Sequence, residues 1–416
     1  MSMNTRTGSL ARIDDVMAKQ VELGEITGAI TAISIKGETV HFSTHGTKDV
    51  ETGTPMPEDA LFRMASSTKP VTGVAVMMMI EQGLIDPKAP VNAYIPEFHD
   101  TKVAVKKRGD GEVPAVAPPV AEAVETIEAP SLGAGLAARR KVDPAEVELV
   151  SAHRELIVED LLTHTSGLLS SGLGSAITSV AREKGDTLAT YIPRLGSVPL
   201  DFQPGSRWAY SPGAGIDVLG RIVEIVSGQA FDEFLRTRIF EPVGMVDTFF
   251  SVPEDRQDRM LPLYRKTDEG FVNAGLGSPM SSRRYFSGSG GLVSTASDYL
   301  RFEQMLVNGG EIGGERVLRP ETVQLMATNH VGDLFVGLRD KIAGLGFGYT
   351  VQVVLDRETA RSARSTGAFG WGGAFGTMTW SDPALHLAGV YMVQQPSMVA
   401  RARFERVARA AVDDLG

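Results

Sequence analysis

A long apolar stretch with a polar start constrains this chain more than any other feature. Residues 66–83 read SSTKPVTGVAVMMMIEQG, and their apolar side chains fall on every side of a helix, as in a helix buried within a domain. Ser66 and Lys69 are three residues apart, so they share one face of its first turn. Pro70 is tolerated there because first-turn N–H groups have no intrahelical partner. Gly83 is a natural C-terminal stop.

The serine and the lysine of this helix are a candidate nucleophile and its base. A serine hydroxyl at a helix N-terminus lies in the positive field of the helix end, and an amine one turn along can take its proton. The alternative is an ordinary cap followed by a first-turn lysine, since about one S-x-x-K is expected by chance in a chain of this length. Other parts of the chain are needed to choose between a catalytic pair and an ordinary helix cap.

Composition excludes several classes of protein and of site. The chain has 416 residues, enough for two lobes, and its net charge of −10 disfavours nucleic acid and anionic membranes as partners. It has no cysteine, which excludes disulfides, thiolate metal sites and cysteine nucleophiles. Neither H-E-x-x-H, G-x-x-x-x-G-K-[ST] nor G-x-S-x-G occurs. We therefore expect no metal and no cofactor.

The N-terminus and the hydropathy pattern bear on location. Residues 1–20 contain no apolar run before a small-residue cleavage site, so we expect no signal peptide. No uncharged apolar segment approaches the ~18–20 residues of a membrane span. A cytoplasmic protein is the resulting expectation, a mature periplasmic form is left open, and the oligomeric state is not predicted.

The periodicity pattern predicts an α+β protein. The predicted elements are a helix over 10–23, a hairpin of strands 29–35 and 39–44, helices over 155–167, 216–226 and 231–240, a helix capped by Ser297 and running to about 307, strands at 346–355, 375–380 and 385–393, and a closing helix over 399–415. The simplest arrangement is an antiparallel sheet flanked by the terminal helices, with a mostly helical domain inserted. This places 1–65 plus 290–416 in one discontinuous α/β domain and 66–289 in the helical one.

Residues 104–150 differ from their surroundings in composition. They are rich in proline, in small residues and in basic clusters, as in an inserted loop or flap. A short helix between 121 and 128 is compatible with the pattern. A solvated excursion and a functional lid are both consistent with this composition.

Two loops supply further candidates for a site. Tyr210 stands between Pro204-Gly205 and Pro212-Gly213, and a tyrosine near a cationic lysine can act as a base near neutral pH. Residues 369–376, FGWGGAFG, open into a strand, and a backbone N–H there is a candidate to form an oxyanion hole with that of Ser66. The structural alternatives are a tyrosine packed in the protein interior at position 210 and a β-bulge within residues 369–376. His164, near a helix end, suits a structural role better than that of a base.

Taken together, these stretches resemble the class C β-lactamase-like serine hydrolases, and within them the family VIII carboxylesterases. The similarity covers roughly residues 10–410, with the insertion as an apparent extra. The matching segments are FRMASSTK at 62–69, DLLTHTSGL at 160–168, Tyr210-Ser211, IFEPVGMVDT at 239–248 and Trp371-Gly372-Gly373.

The resemblance implies a role for each matching residue. Ser66 is expected to be the acylated nucleophile, Lys69 to orient it and share its proton, and Tyr210 to be the base. The Ala374 N–H would be the second oxyanion donor beside that of Ser66. Trp371, followed by the substrate-binding Gly372 and Gly373, holds the position of the lysine in the lactamase K-[ST]-G triplet.

Two departures from the lactamase pattern favour ester substrates. The chain has no Y-x-N, because Tyr210 is followed by Ser211-Pro212, and it has no Lys-Thr-Gly or Lys-Ser-Gly. It therefore lacks an amide and a cation that would favour a β-lactam. We expect a serine carboxylesterase for short-chain, small-molecule esters. A β-lactamase, D-aminopeptidase or acyltransferase on the same scaffold, and a non-catalytic penicillin-binding-like protein, are the alternatives.

Overall fold

The structure, a computed structural model, describes residues 3–107, 142–178, 180–275, 284–338 and 343–415. An eight-stranded antiparallel sheet organises them. Its strands are β1 Gly28–Ile35, β2 Glu38–Asp49, β3 Thr54–Pro55, β4 Leu345–Phe347, β5 Gln352–Val354, β6 Phe369–Gly372, β7 Met378–Asp382 and β8 Leu387–Met392. The order across the sheet is β4-β5-β6-β7-β8-β1-β2-β3, so the beginning and the end of the chain meet where β1 pairs with β8.

Helices cover both faces of this sheet. The longer ones are α1 Met3–Glu22, α2 Thr68–Glu81, α3 Ala214–Ser227, α4 Ala296–Val307 and α5 Met398–Asp413. Side chains of β7 alternate between the faces, as a strand requires: Trp380 packs on Phe404 of α5, whereas Thr379 and Ser381 hydrogen-bond to Glu303 of α4. The terminal helices α1 and α5 thus lie on one face and α4 on the other, which confirms the predicted α+β class.

Shorter elements complete the described fold. Four two-stranded pairs join Phe62–Arg63 to Val293–Ser294, Lys102–Lys106 to Val147–Ser151, Tyr264–Thr267 to Gly270–Asn273, and Glu311–Ile312 to Glu315–Arg316. Short helices span Val158–Leu162, Leu173–Ile177, Leu188–Tyr191, Phe231–Leu235, Glu241–Val243, Pro320–Met326 and Arg357–Ala360.

Helix α2 lies in the middle of the larger hydrophobic core. Every residue from Thr68 to Met79 is buried, so the prediction from its all-round apolar pattern is confirmed. The helix begins at Thr68 rather than Ser66, since residues 65–67 form a 3₁₀ turn. It ends at Glu81, and Gly83 follows with φ of +69°, a conformation that glycine adopts without strain.

Some predicted boundaries were wrong. The helix expected over 155–167 spans only Val158–Leu162, because the chain turns at His164, whose φ is +58°. Ser297 lies inside α4, and the cap is Thr295, whose hydroxyl accepts a hydrogen bond from the Asp298 N–H.

The late strands also differ from the prediction. The strand expected at 346–355 is the hairpin β4–β5, which turns at Thr350 with φ of +64°. The strand expected at 375–380 begins only at Met378, because the Gly376 N–H donates to the Gly373 carbonyl in a turn. The preceding glycine-rich residues form strand β6 instead.

The predicted insertion at 104–150 begins and ends in paired strands. Lys102–Lys106 pairs antiparallel with Val147–Ser151, so the two ends of the insertion lie side by side. Residues 108–141, with the helix expected at 121–128, lie outside the described residues. The two-domain division stays a prediction. Among the described residues, each helix is too short or too polar to cross a membrane.

Candidate active site

Ser66 lies on a tight turn between the short strand Phe62–Arg63 and α2. Ala65 just before it has φ of +45°, which side-chain-bearing residues rarely adopt. Contacts on the preceding residue hold this turn: the Met64 N–H donates to the Leu292 carbonyl at 2.9 Å, and the Thr377 hydroxyl donates to the Met64 carbonyl at 3.3 Å. The turn leaves Ser66 half-buried, whereas every residue from Ser67 to Met79 is buried.

Lys69 is fully buried and points at the Ser66 hydroxyl. Its Nζ lies 3.3 Å from Ser66 Oγ, 2.8 Å from the Pro212 carbonyl oxygen and 2.7 Å from the Ser289 carbonyl oxygen. An ammonium group donates to all three oxygens. A neutral amine donates to the two carbonyls and offers its lone pair to the Ser66 proton. The surroundings therefore accommodate both protonation states of Lys69, as a proton carrier requires.

Tyr210 reaches the same hydroxyl from a different part of the chain. Its phenol oxygen lies 2.7 Å from Ser66 Oγ, and Lys69 Nζ lies 5.1 Å from the centre of its ring. The structure thus brings together the three residues predicted as nucleophile, proton carrier and base. Their catalytic roles stay predictions.

Asp217 supports the side of the site that holds Lys69. This buried carboxylate, in the first turn of α3, accepts hydrogen bonds from the hydroxyls of Tyr285 and Ser287 and from the Ser289 N–H at 2.9 Å. The same Ser289 offers its carbonyl to Lys69. The carboxylate therefore fixes the loop that carries one of the lysine's two carbonyl acceptors.

The predicted substrate-binding residues come alongside the nucleophile. Trp371 and Gly372 end strand β6, and Gly373 lies so close to the turn before Ser66 that a Cβ at position 373 would be 2.2 Å from the Met64 carbonyl oxygen. Only glycine fits this approach. Ala374 follows and is exposed. Its assignment as the second oxyanion donor stays a prediction.

Aromatic side chains enclose the Tyr210 ring. The centre of that ring lies 5.7 Å from Trp371 and 4.8 Å from His164, and Phe347 contacts both neighbours at 5.3 and 5.4 Å. Trp208 packs behind them against Phe347. We call His164, Trp208, Phe347 and Trp371 the aromatic wall.

The aromatic wall contains unpaired hydrogen-bonding atoms. Within the described parts of the chain, the indole nitrogens of Trp208 and Trp371 and the Nε2 atom of His164 are buried without a hydrogen-bond partner. Burial and the nearby Lys69 hold the pKa of His164 well below its ordinary value, so its ring is neutral. This side of the site is apolar in character and carries no charge of its own.

One further cluster of ligand-type side chains lies elsewhere. Among the residues described, Asp14, His41 and His45 bring one possible ligand atom each within 4.8 Å of one another. Both histidine Nε2 atoms, however, contact a single hydroxyl, that of Thr31, at 2.8 and 2.9 Å. These hydrogen bonds engage the Nε2 atom of each histidine, and the cluster is a polar contact between β1, β2 and α1.

Sequence reasoning missed several contributors to the site. Asp217 carried a weak signal, as an acidic residue in the first turn of helix α3. This helix follows the loop at residues 204–213 that contains Tyr210, which we call the tyrosine loop. Trp208 stands two residues before Tyr210, but no motif singles it out. Phe347 gave no local signal, because only the pairing of β4 with β5 brings it near the tyrosine.

Comparison with known proteins identifies the family of this chain. The family model described as "Beta-lactamase" matches residues 13–413. The chain belongs to the beta-lactamase family. The matched residues include the whole described sheet, all of α5 and the part of α1 from Ile13 onward. The match confirms the predicted resemblance and the prediction of a serine hydrolase.

Relatives within this family extend the comparison. Protein Rv1367c of Mycobacterium tuberculosis is 32% identical over 90% of this chain and 87% of its own. Esterase EstB of Burkholderia gladioli is 29% identical over 91% of this chain and 88% of its own. Among solved structures, EstCE1, titled a hydrolase with promiscuous acyltransferase activity, covers 99% of this chain and 100% of its own at 24% identity and a TM-score of 0.73. The last likeness shows the fold alone.

Proposed function

We propose that this protein is a serine carboxylesterase that hydrolyses short-chain carboxylic esters through an acyl-enzyme on Ser66. The observation that carries the proposal is the meeting of three side chains at one oxygen. Ser66 Oγ lies 2.7 Å from the Tyr210 hydroxyl and 3.3 Å from Lys69 Nζ. The relative named Esterase EstB supports an ester as the substrate.

In this reaction Tyr210, paired with Lys69, takes the proton from Ser66 as the serine oxygen attacks the ester carbonyl carbon. The carbonyl oxygen becomes an oxyanion, and the backbone N–H groups of Ser66 and Ala374 stabilise it. The C–O bond to the alcohol then breaks, and the alcohol leaves with the proton from Tyr210. Water, deprotonated by the same tyrosine, then attacks the acyl carbon. The bond from that carbon to Ser66 Oγ breaks, Ser66 takes the proton back from Tyr210, and the acid is released.

Substrate preference follows from the aromatic wall. Where β-lactamases of this kind carry a lysine, this chain has Trp371, 5% exposed and in contact with the Tyr210 ring. An indole favours a neutral, apolar acyl or alkoxy group over a carboxylate. Esters without charge are therefore preferred over β-lactams and over the carboxylate-bearing substrates of peptidases.

Substitution of the nucleophile tests this function. Ser66→Ala should abolish hydrolysis of p-nitrophenyl butyrate while thermal unfolding is unchanged, whereas the exposed Ser197→Ala should keep the wild-type rate. Retention of the wild-type rate by Ser66→Ala would reject the assignment.

The wild-type protein assayed with nitrocefin and with a D-amino-acid amide separates the alternatives, because a β-lactamase or an aminopeptidase prefers one of these to the ester.

A further inference from the structure

His164 contacts the tyrosine loop on both sides of Tyr210. The Ala209 N–H donates to the His164 carbonyl at 3.0 Å, and the Ser211 N–H donates to His164 Nδ1 at 3.4 Å. Between these two hydrogen bonds, the imidazole packs against the phenol ring with 4.8 Å between ring centres. One residue thus holds the neighbours of the candidate base and supports its ring.

We propose that His164 is a positioning residue for Tyr210. Its carbonyl and its Nδ1 atom fix the two flanking residues, so that the phenol oxygen stays within hydrogen-bonding distance of Ser66. The proposal rests on the proposed ester hydrolysis through Ser66, and it adds a residue that does not contact the reacting atoms.

The tyrosine loop needs such external support. Residues 207–211 belong to no helix or strand, and Pro204-Gly205 and Pro212-Gly213 flank them, so no regular hydrogen-bond pattern fixes the shape of the loop. The 2.7 Å contact between Tyr210 and Ser66 depends on that shape. A misplacement of about 1 Å at a reacting group lowers rates by about 10²-fold, so a residue that fixes the loop has a measurable effect on turnover.

The pattern of hydrogen bonds at His164 indicates what the imidazole supplies. Because Nδ1 accepts from Ser211, the ring proton is on Nε2, and that atom is buried without a partner among the described residues. An unpaired buried donor costs free energy, so a phenyl ring would fill this space with less penalty. The part of the imidazole that a phenyl ring lacks, and that this structure uses, is the Nδ1 acceptor.

The acceptor nitrogen also separates positioning from base catalysis. Nδ1 is engaged by a backbone N–H of the loop, and His164 is 1% exposed beneath the Tyr210 ring. Its ring therefore acts on Ser66 only through the tyrosine.

Three substitutions of His164 test the proposal. Asparagine carries Oδ1 on Cγ, where histidine carries Nδ1, and both asparagine and glycine tolerate the positive φ of +58° at this position. Glycine therefore relieves the backbone without an acceptor, and phenylalanine keeps a ring without one. Thermal unfolding and circular dichroism of each variant establish that it is folded.

With p-nitrophenyl butyrate, His164→Asn should keep kcat within about threefold of wild type, while His164→Gly and His164→Phe should lower kcat by about 30- to 100-fold with KM nearly unchanged. Equal kcat in all three variants, or a glycine variant as active as the asparagine variant, would overturn the positioning role. If the phenylalanine variant does not fold, the asparagine and glycine variants decide alone.

A second readout separates this inference from the proposed function. The rate at which a fluorophosphonate probe labels Ser66 reports on the activation of that hydroxyl without any ester. If the wild type labels Ser66 but hydrolyses no ester, the proposed substrate class fails, and the order of labelling rates, with asparagine ahead of glycine and phenylalanine, still tests His164. If the wild type neither labels nor hydrolyses, both proposals fail.

Discussion

The two sides of the Ser66 hydroxyl differ in how their polar atoms are paired. On the polar side, Lys69 Nζ contacts three oxygens, one of them the Ser289 carbonyl that Asp217 helps to hold in place. On the other side, the aromatic wall leaves three buried ring nitrogens without hydrogen-bond partners in the described chain.

This difference indicates a division of tasks. A fully paired buried network has one geometry, which suits the transfer of a proton between fixed atoms. The unpaired ring nitrogens of the aromatic wall form no hydrogen bonds that would require a fixed geometry. The wall is therefore suited to contact an uncharged part of a substrate. We therefore expect substitutions on the polar side to lower turnover, and substitution of Trp371 in the aromatic wall to change which ester is preferred.

The largest expected effect is on the polar side. Lys69→Met keeps the length of the side chain but removes the proton carrier and leaves the Pro212 and Ser289 carbonyls without their donor. We expect kcat/KM for p-nitrophenyl butyrate to fall towards the upper end of the ~10²–10⁴-fold range of acid–base groups. The same change at the exposed Lys184 is the control and should have no effect. Near wild-type turnover by Lys69→Met would show that the paired network is not the proton path.

A smaller effect, on selectivity, is expected at the aromatic wall. Trp371→Lys restores the residue type of the lactamase triplet within a largely buried space. It should lower kcat/KM for p-nitrophenyl butyrate by about tenfold, and raise the relative rate for an ester whose acyl chain ends in a carboxylate. Trp371→Phe, which keeps an apolar ring, should leave the order of substrates as in the wild type. An unchanged order in the lysine variant would contradict the role given to the wall.

The smallest effect on activity is expected at Glu303, a buried residue of helix α4. Burial raises the pKa of this carboxyl to about 7 from an ordinary 4.5, against hydrogen bonds from Thr379 and Ser381. Because the folded state binds the proton more tightly, its contribution to stability is fully present below pH 4.5 and is lost as the pH rises through about 7. The loss across this window is on the order of a few kcal/mol.

Glu303→Gln removes this titration. Urea unfolding between pH 4.5 and 7 should therefore show a smaller fall in the free energy of unfolding than in the wild type, while kcat changes by less than about twofold. The exposed Glu315→Gln is the matched control and should reproduce the wild-type slope. Parallel slopes for Glu303→Gln and the wild type would contradict the raised pKa.

Local patterns predicted the elements that each carry their own signal. The all-round apolar character of 68–79 identified the buried helix α2, and the two β-rich runs at 29–35 and 39–44 identified the hairpin β1–β2. S-x-x-K, the tyrosine loop and the Trp-Gly-Gly segment were each weak alone. Their joint resemblance to one family identified the residues that the structure brings together.

Features that depend on long-range packing were not predictable in this way. The helix expected to reach 167 stops at Leu162, because hydrogen bonds from the Tyr210 loop hold His164 at positive φ. Phe347 joins the aromatic wall only through sheet pairing, and Asp217 acts on a loop about 70 residues further along the chain. In each case the partner is distant in sequence, so propensity and periodicity carry no information about it.

The most direct test of the Ser66 acyl-enzyme is the position of the acyl group during turnover. The enzyme is mixed with p-nitrophenyl pivalate, a hindered ester whose acyl group water removes slowly, quenched in acid and mapped by peptide mass spectrometry. We expect one pivaloyl group, on the peptide that contains Ser66, and none in Ser66→Ala. Release of p-nitrophenol with the acyl group on another residue, or at the same rate from Ser66→Ala, would contradict it.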